Sequence, residues 1–278
     1  VDWAEAKTAA PTVARENMKY FIAVCLLALA GCGAPDNKFL DAGTAAMDRG
    51  DFKQAVDHFG RAISSNPSNA EAYFHRGLAY SELGQFDEAI ADQSKAIALK
   101  PDYTAAYLSR GIAYAKTGNL DQAITDETKA LRLEPEYPLA HHNRALVYWM
   151  KGAADQTVAD ESEAIRLRPD YAPAYACRGL AYMAKREPEK ALADFNRAIE
   201  LDPKLGDAYR GRGVVFAARN DFDKAIADFT SAIRLNPKDG PAFFNRGRAY
   251  QKKGEQEKAA ADFGEAKRLG LEGGGKAE

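Results

Sequence analysis

The chain repeats itself every 34 residues, and that period constrains the fold before any single residue does. Tyr73, Gly77, Tyr80, Gly84, Ala89, Ala96 and Pro101 return as Tyr107, Gly111, Tyr114, Gly118, Ala123, Ala130 and Pro135. Further blocks begin at Asp36, Pro138, Ala172, Gly206 and Gly240, so seven blocks (36–69, 70–103, 104–137, 138–171, 172–205, 206–239 and 240–271) follow one another without an insertion. A period of this length marks a solenoid, in which each unit touches mainly its neighbours and only the stack buries a core.

Within a block the apolar and small positions keep helical spacing. Tyr73, Gly77 and Tyr80 share one face of a first helix, and Ala89, Ala96 and Leu99 share one face of a second. Gly84 suits the left-handed residue after a helix C-terminus, and Pro101 stops the second helix. Acidic residues open the second helices (Asp87, Asp121, Asp155, Glu189, Asp223), where the helix dipole favours them. Second helices also carry apolar pairs such as Ile90/Ile97 and Ile226/Ile233, placed to meet the next block. In the last block the pair becomes Ala260/Lys267, and the first block has Lys38 where later blocks have alanine. Both ends therefore read as polar caps.

This signature of aromatic, Gly, Tyr, Ala, Phe, Ala and Pro resembles that of the tetratricopeptide repeat over residues 36–271. The resemblance implies an all-α fold, a right-handed superhelical solenoid of seven helix pairs whose stacked first helices line a concave groove. Carried onto this chain, the family's groove positions include Leu108, Ile112, Leu139, His142, Asn143, Leu146, Trp149, Met150, Leu180 and Met183. Read as solvent-facing side chains, they form an apolar strip in the middle of the array, the kind of patch that marks a contact site. Some members of the family clamp a partner's C-terminal carboxylate with lysine on the first helices. The second groove position here reads Asn37, Glu71, Ala105, Leu139, Pro173, Asp207 and Pro241, without a lysine, so that clamp is not expected.

A ladder of opposite charges runs through the array. Arg76, Arg110, Arg144, Arg178, Arg212 and Arg246 are each followed sixteen residues later by Asp92, Asp126, Asp160, Asp194, Asp228 and Asp262. The first block has Ala42 and His58 instead and so lacks both members, which favours pairing within a block. Exposed pairs are worth about 0–1 kcal/mol each, and the ladder is read as architectural. Blocks two to four share another departure, Gln93, Glu127 and Glu161, where the family often has phenylalanine.

The first 35 residues are different. Met18-Lys19 begins a basic start to an eleven-residue apolar run, Tyr20 to Ala30, too short for a spanning helix of about 20 residues. The run leads into Leu29-Ala30-Gly31-Cys32, which resembles the lipobox of bacterial lipoproteins. The resemblance implies a signal at 18–31, acylation of Cys32, a short tether at 32–35, and a place in the bacterial envelope. Gly33 lacks the aspartate that retains lipoproteins in the inner membrane, so the periplasmic face of the outer membrane is expected. Residues 1–17, ahead of Met18, are read as an untranslated or disordered upstream segment, and 272–278 as a flexible tail. Cys25 leaves with the signal and Cys32 takes the lipid, so Cys177 remains without a disulfide partner.

Composition removes other classes. Formal net charge is −2 and no basic block stands out, which excludes a nucleic-acid partner. There is no Gly-rich phosphate loop, no CxxC pair and no nucleophile elbow, and His141-His142 point about 100° apart on a helix, a poor metal pair. Neither a metal nor another cofactor is expected. The expectation is a non-enzymatic interaction scaffold or adaptor, anchored to a membrane by its lipid, with a protein or peptide segment of unknown identity in the groove. A soluble cytoplasmic module, and an envelope carrier for apolar segments or lipids, are the competing readings.

Overall fold

The computed structural model describes residues 38–271; the upstream segment, the apolar run, Cys32 with all of its tether, and the tail at 272–278 lie outside the described residues. The described residues form fourteen α-helices and no strand. They are α1 (Lys38–Asp48), α2 (Phe52–Ser65), α3 (Ala70–Glu82), α4 (Phe86–Leu99), α5 (Thr104–Lys116), α6 (Leu120–Leu133), α7 (Pro138–Met150), α8 (Ala154–Leu167), α9 (Ala172–Ala184), α10 (Pro188–Leu201), α11 (Gly206–Ala218), α12 (Phe222–Leu235), α13 (Gly240–Lys252) and α14 (Gln256–Arg268). Two compact units divide them, α1–α7 up to Lys151 and α8–α14 from Gly152, so the division falls inside the fourth block. No described helix is long and apolar enough to cross a membrane.

Local chemistry sets the helix ends. The residue closing the second helix is extended in Asn66, Lys100, Glu134, Arg168, Asp202 and Asn236, with φ between −140° and −132°. Each precedes a proline, whose ring disfavours the helical conformation in the residue before it. Between the two helices of a block the chain turns through a left-handed residue. Gly84 has φ +76°, and the equivalent positions in blocks five and six are Arg186 (φ 61°) and Asn220 (φ 59°), where a side chain has to accept that conformation. At the start of α3, Asn69 caps the helix by accepting a hydrogen bond from the Ala72 N–H at 3.0 Å.

Small residues let the helices approach. A Cβ at Gly77 would stand 2.5 Å from Nε2 of Gln93, and one at Gly111 would stand 2.9 Å from Oε1 of Glu127. In block five the ring of Phe195 fills the same place above Gly179, and it also lies against Gly211 of block six. The fully buried side chains of the second helices therefore sit over a glycine. Phe59, Phe195 and Phe229 are such residues, and so are Gln93 and Glu127; Glu161 is equally buried, but block four has Ala145 in place of the glycine. The Gln93 amide donates to the Phe74 carbonyl oxygen at 3.0 Å, which accounts for one polar atom of this substitution. The Cys177 thiol hydrogen-bonds Glu161, and burial together with that carboxylate pushes the thiol well above its ordinary pKa. A cysteine in that state is not a nucleophile. At the far end of the second unit, Ala260 and Lys267 are exposed.

Candidate functional site

The first helices carry the candidate site. In the first unit α3 touches α5 and α5 touches α7, so their equivalent faces lie side by side. On α7 the positions Leu139, His142, Asn143, Leu146, Trp149 and Met150 follow the i, i+3, i+4, i+7 spacing of one face. On α3 the same register holds Glu71, Phe74, His75, Leu78, Ser81 and Glu82.

Exposure differs from the sequence expectation. Leu108, Ile112, Leu139, His142, Asn143, Leu146, Trp149 and Met183 are buried and Leu180 is half-buried; only Met150, at 37% relative exposure, is an exposed large apolar residue among those described. The strip is therefore not the open apolar surface that helical spacing suggested. Spacing fixes which side of a helix a residue occupies, but not how closely the neighbouring first helix stands. Apolar area withdrawn from water contributes about 25 cal/mol per Å², so large side chains on such a face are driven under cover.

Two polar atoms within the strip are conspicuous. Asn143, 5% exposed, and Trp149, 6% exposed, have side-chain N–H groups (Nδ2 and Nε1) with no hydrogen-bond partner among the described residues. A buried donor without an acceptor costs about 1–3 kcal/mol, so these two are places where an acceptor from elsewhere would be favoured.

Carboxylates crowd the other side of the face. Glu71 pairs with His75 at 3.7 Å, and the attraction of that imidazole, with Lys100 adding to it, holds its carboxyl below the usual range against the opposing effect of burial. Burial alone pushes the Glu82 carboxyl up, with no cation contributing. Glu82 is also the last residue of α3, and Asp48 the last of α1, where the helix dipole disfavours negative charge. Nothing in the repeat pattern drew attention to these two residues. The signal that could have found them is an acid in the last helical turn, where a base is preferred.

The charge ladder has a definite geometry. Arg76, Arg110, Arg178, Arg212 and Arg246 each hold the aspartate sixteen residues on through two parallel hydrogen bonds of 2.7–2.8 Å. The arginine also lies between two aromatic rings of its own helix, as Arg178 does between Tyr175 and Tyr182, with 5.6 and 5.9 Å to the centroids. Its third arm reaches the preceding block. Nη1 donates to Ser94 from Arg110, to Thr128 from Arg144, to Ser162 from Arg178, to Asn196 from Arg212 and to Thr230 from Arg246. Asp160 is buried in the second unit. The ladder thus pairs within blocks and also links them, and the second half of that statement was not foreseen.

A second series was missed although its spacing is legible. Asp121 pairs with Lys151, Asp155 with Lys185 (2.5 Å), Glu189 with Arg219 (2.9 Å) and Asp223 with Lys253 (2.5 Å), thirty residues apart each time. The acids that open second helices therefore serve the next block as well as the dipole. All are strongly exposed, so their contribution is small. Among the described residues no group of three or more His, Cys, Asp or Glu could hold a metal ion.

Comparison with known proteins agrees with this architecture. A family model for the tetratricopeptide repeat matches residues 40–104, 178–240 and 216–270, and a second model, for the TPR repeat, matches 113–152. No curated protein sequence matches significantly. Among solved structures, a tetratricopeptide repeat protein from Parabacteroides merdae is 19% identical, with a TM-score of 0.71, over 86% of this chain and 94% of its own. MamA is 27% identical, with a TM-score of 0.55, over 58% of this chain and 95% of its own. YrrB, described as a TPR protein with an unusual peptide-binding site, is 24% identical, with a TM-score of 0.55, over 72% of this chain and 100% of its own. The seven blocks, the fourteen described helices and the family match over more than half of the sequence lead to one conclusion: the chain belongs to the tetratricopeptide repeat family.

Proposed function

We propose that the protein is a non-enzymatic scaffold that holds a segment of a partner protein against its first helices, and that acylation of Cys32 tethers it to a membrane of the bacterial envelope, on the periplasmic face of the outer membrane. The observation that carries the scaffold reading is the α7 face, where the exposed Met150 adjoins the buried Leu146 and two donors that lack acceptors. A face with those properties supports contact with another chain. The peptide-binding site named for YrrB fits the same idea at the level of the fold.

The test is crosslinked capture from intact cells. Met150→Asp is preferred to a change at Leu146, because a buried aspartate at Leu146 would unfold the stack as readily as it blocked a partner. Met150→Asp places a charge on an exposed position, and the expected result is loss of at least one envelope partner with the helical content unchanged. Identical captures from the parent and the variant would remove the first-helix face as the site.

The tether has its own test. The basic start, the apolar run and Leu29-Ala30-Gly31-Cys32 support acylation of Cys32, and two or more acyl chains make anchoring stable. Labelling with radioactive palmitate is expected in the parent and absent in Cys32→Ser, which should also leave the membrane fraction. Equal labelling of both proteins would place the acyl chain elsewhere than Cys32, and labelling of neither would remove the lipid tether.

A further inference from the structure

We propose that the first-helix face of the first unit is built for one chemical kind of partner, an extended peptide segment that carries lysine or arginine at one end and apolar residues at the other. The inference rests on the groove reading above and gives the partner a chemistry.

Charge is the first observation. At the face positions of α1, α3, α5 and α7 stand four carboxylates, Asp41, Asp48, Glu71 and Glu82, against a single ammonium, Lys116; Glu71 is also approached by His75 and, from outside the face, by Lys100, whereas no cation acts on Glu82. Asp41 and Asp48 are exposed, and Glu71 and Glu82 are half-buried. Glu82 stands i+4 from the buried Leu78, so its carboxylate adjoins apolar surface on the same face. Partial desolvation strengthens its attraction for a cation. It also sits at the helix C-terminus, where it opposes the dipole, so the acid is held at some cost to the free protein.

Hydrogen-bonding capacity is the second and independent observation. Two first-helix steps away on α7, the N–H groups of Asn143 and Trp149 are more than nine-tenths buried and lack acceptors. The register makes α3 and α7 equivalent: Glu71 corresponds to Leu139, His75 to Asn143, Leu78 to Leu146, and Glu82 to Met150. A peptide crossing from α3 to α7 therefore leaves carboxylates and arrives at an apolar residue flanked by donors. Both N–H groups are covered in this structure, so main-chain carbonyls of an extended segment supply the two acceptors once side chains of the face move aside. Helices packed about 8–10 Å apart put the two ends roughly 20 Å from each other, a span of about six or seven extended residues.

The experiment uses the full chain and fluorescence anisotropy of a labelled, end-capped nonapeptide, with lysines in its first half and alternating leucine and valine in its second. A counterpart carries glutamate in place of the lysines. The lysine peptide is expected to bind, to weaken as salt is raised, and to lose about tenfold in affinity with Glu71→Lys/Glu82→Lys. The glutamate peptide is expected not to bind. Asp87→Lys/Glu88→Lys, on the exposed face of α4, makes the same change in net charge and should leave the affinity where it was. Glu71→Lys loses the pair with His75 and puts a cation in the first turn of α3, whereas Glu82→Lys alone relieves the dipole conflict and should melt no lower than the parent, so a loss of affinity in that single variant separates lost binding from lost fold. The proposal is overturned if the glutamate peptide binds as well, if the groove variant binds within twofold of the parent, or if no lysine peptide binds at about 0.5 mM, the weak end of useful affinities. Any of these alongside a positive Met150→Asp capture would strike out the basic partner and leave the groove reading standing.

Discussion

Phe195→Ala is expected to destabilise the second unit by about 3–5 kcal/mol, the range for truncating a buried aromatic. The ring is fully buried in α10 and occupies the space two missing Cβ atoms would take, with its carbons 2.8 Å from the Cβ position of Gly179 and 2.4 Å from that of Gly211. Gly179 belongs to the same block and Gly211 to the next, so a single ring fills both the intra-block and the inter-block contact. Collapse of the cavity is resisted from the sides. Arg178 is tied to Asp194 and Arg212 to Asp228 by paired hydrogen bonds, and Arg212 also reaches Asn196 at 2.8 Å. These bonds fix the spacing of α9, α10 and α11 around the void. In a solenoid the stability is close to a sum of unit and interface terms, and this substitution lowers both. Urea unfolding followed by circular dichroism should show a lower midpoint and a broadened transition. Phe263→Ala is the internal control: it has the same position in the last described block, is half-buried and has no further block packed on it among the described residues, and should cost about 1–2 kcal/mol. A loss below about 1.5 kcal/mol at Phe195 would mean that the helices close over the cavity after all.

The contrast between Phe195 and Phe263 also shows what can be read from a repeat. Position in the block tells which side of a helix a residue occupies and how many neighbours it can have, and the helix pairs follow from that. The sixteen-residue spacing between Arg178 and Asp194 could likewise be recognised as a pair because both ends vanish together in the first block. Distances between successive first helices are a different kind of quantity. They depend on side-chain volumes in two blocks at once, and so Leu108, Leu146 and Trp149 were expected at the surface and are buried. The same limit hid the third arm of the arginines. Ser94, Thr128, Ser162, Asn196 and Thr230 share a block position but differ in type, and what they have in common is an oxygen within reach of the next guanidinium. Glu82 escaped for another reason: its neighbours at that position are Asp48, Lys116 and Met150, so no consensus makes it an exception. Its meaning comes from helix polarity and partial burial, which the block alignment does not contain.

Asp194→Ala should cost about 2 kcal/mol, several times what an exposed ion pair is worth. The aspartate side chain is 8% exposed and that of Arg178 is 18%, so removing the carboxylate leaves a largely shielded guanidinium with Ser162 as its remaining hydrogen-bond partner in this set. Breaking a fully buried pair costs about 3–5 kcal/mol; the residual access of water to Arg178 brings the expected value below that range. Deleting both members is a different matter. With Arg178→Met and Asp194→Leu together, no charge is stranded, and the methionine can still lie between Tyr175 and Tyr182, as the arginine does. The double variant is therefore expected within about 1 kcal/mol of the parent, so the effects of the two single changes do not add. Salt discriminates further: the Arg178–Asp194 contribution should survive 1 M NaCl, whereas Asp155→Ala, which breaks a pair whose aspartate side chain is 81% exposed, should have little effect at low salt and none at high salt. If Asp194→Ala proves as mild as Asp155→Ala, the arginines are held by their flanking rings and the carboxylates are incidental. If it is costly and the double variant is mild, the ladder's role is specification: once a block carries one member it must carry the other, which is the pattern of joint presence and joint absence that the seven blocks display.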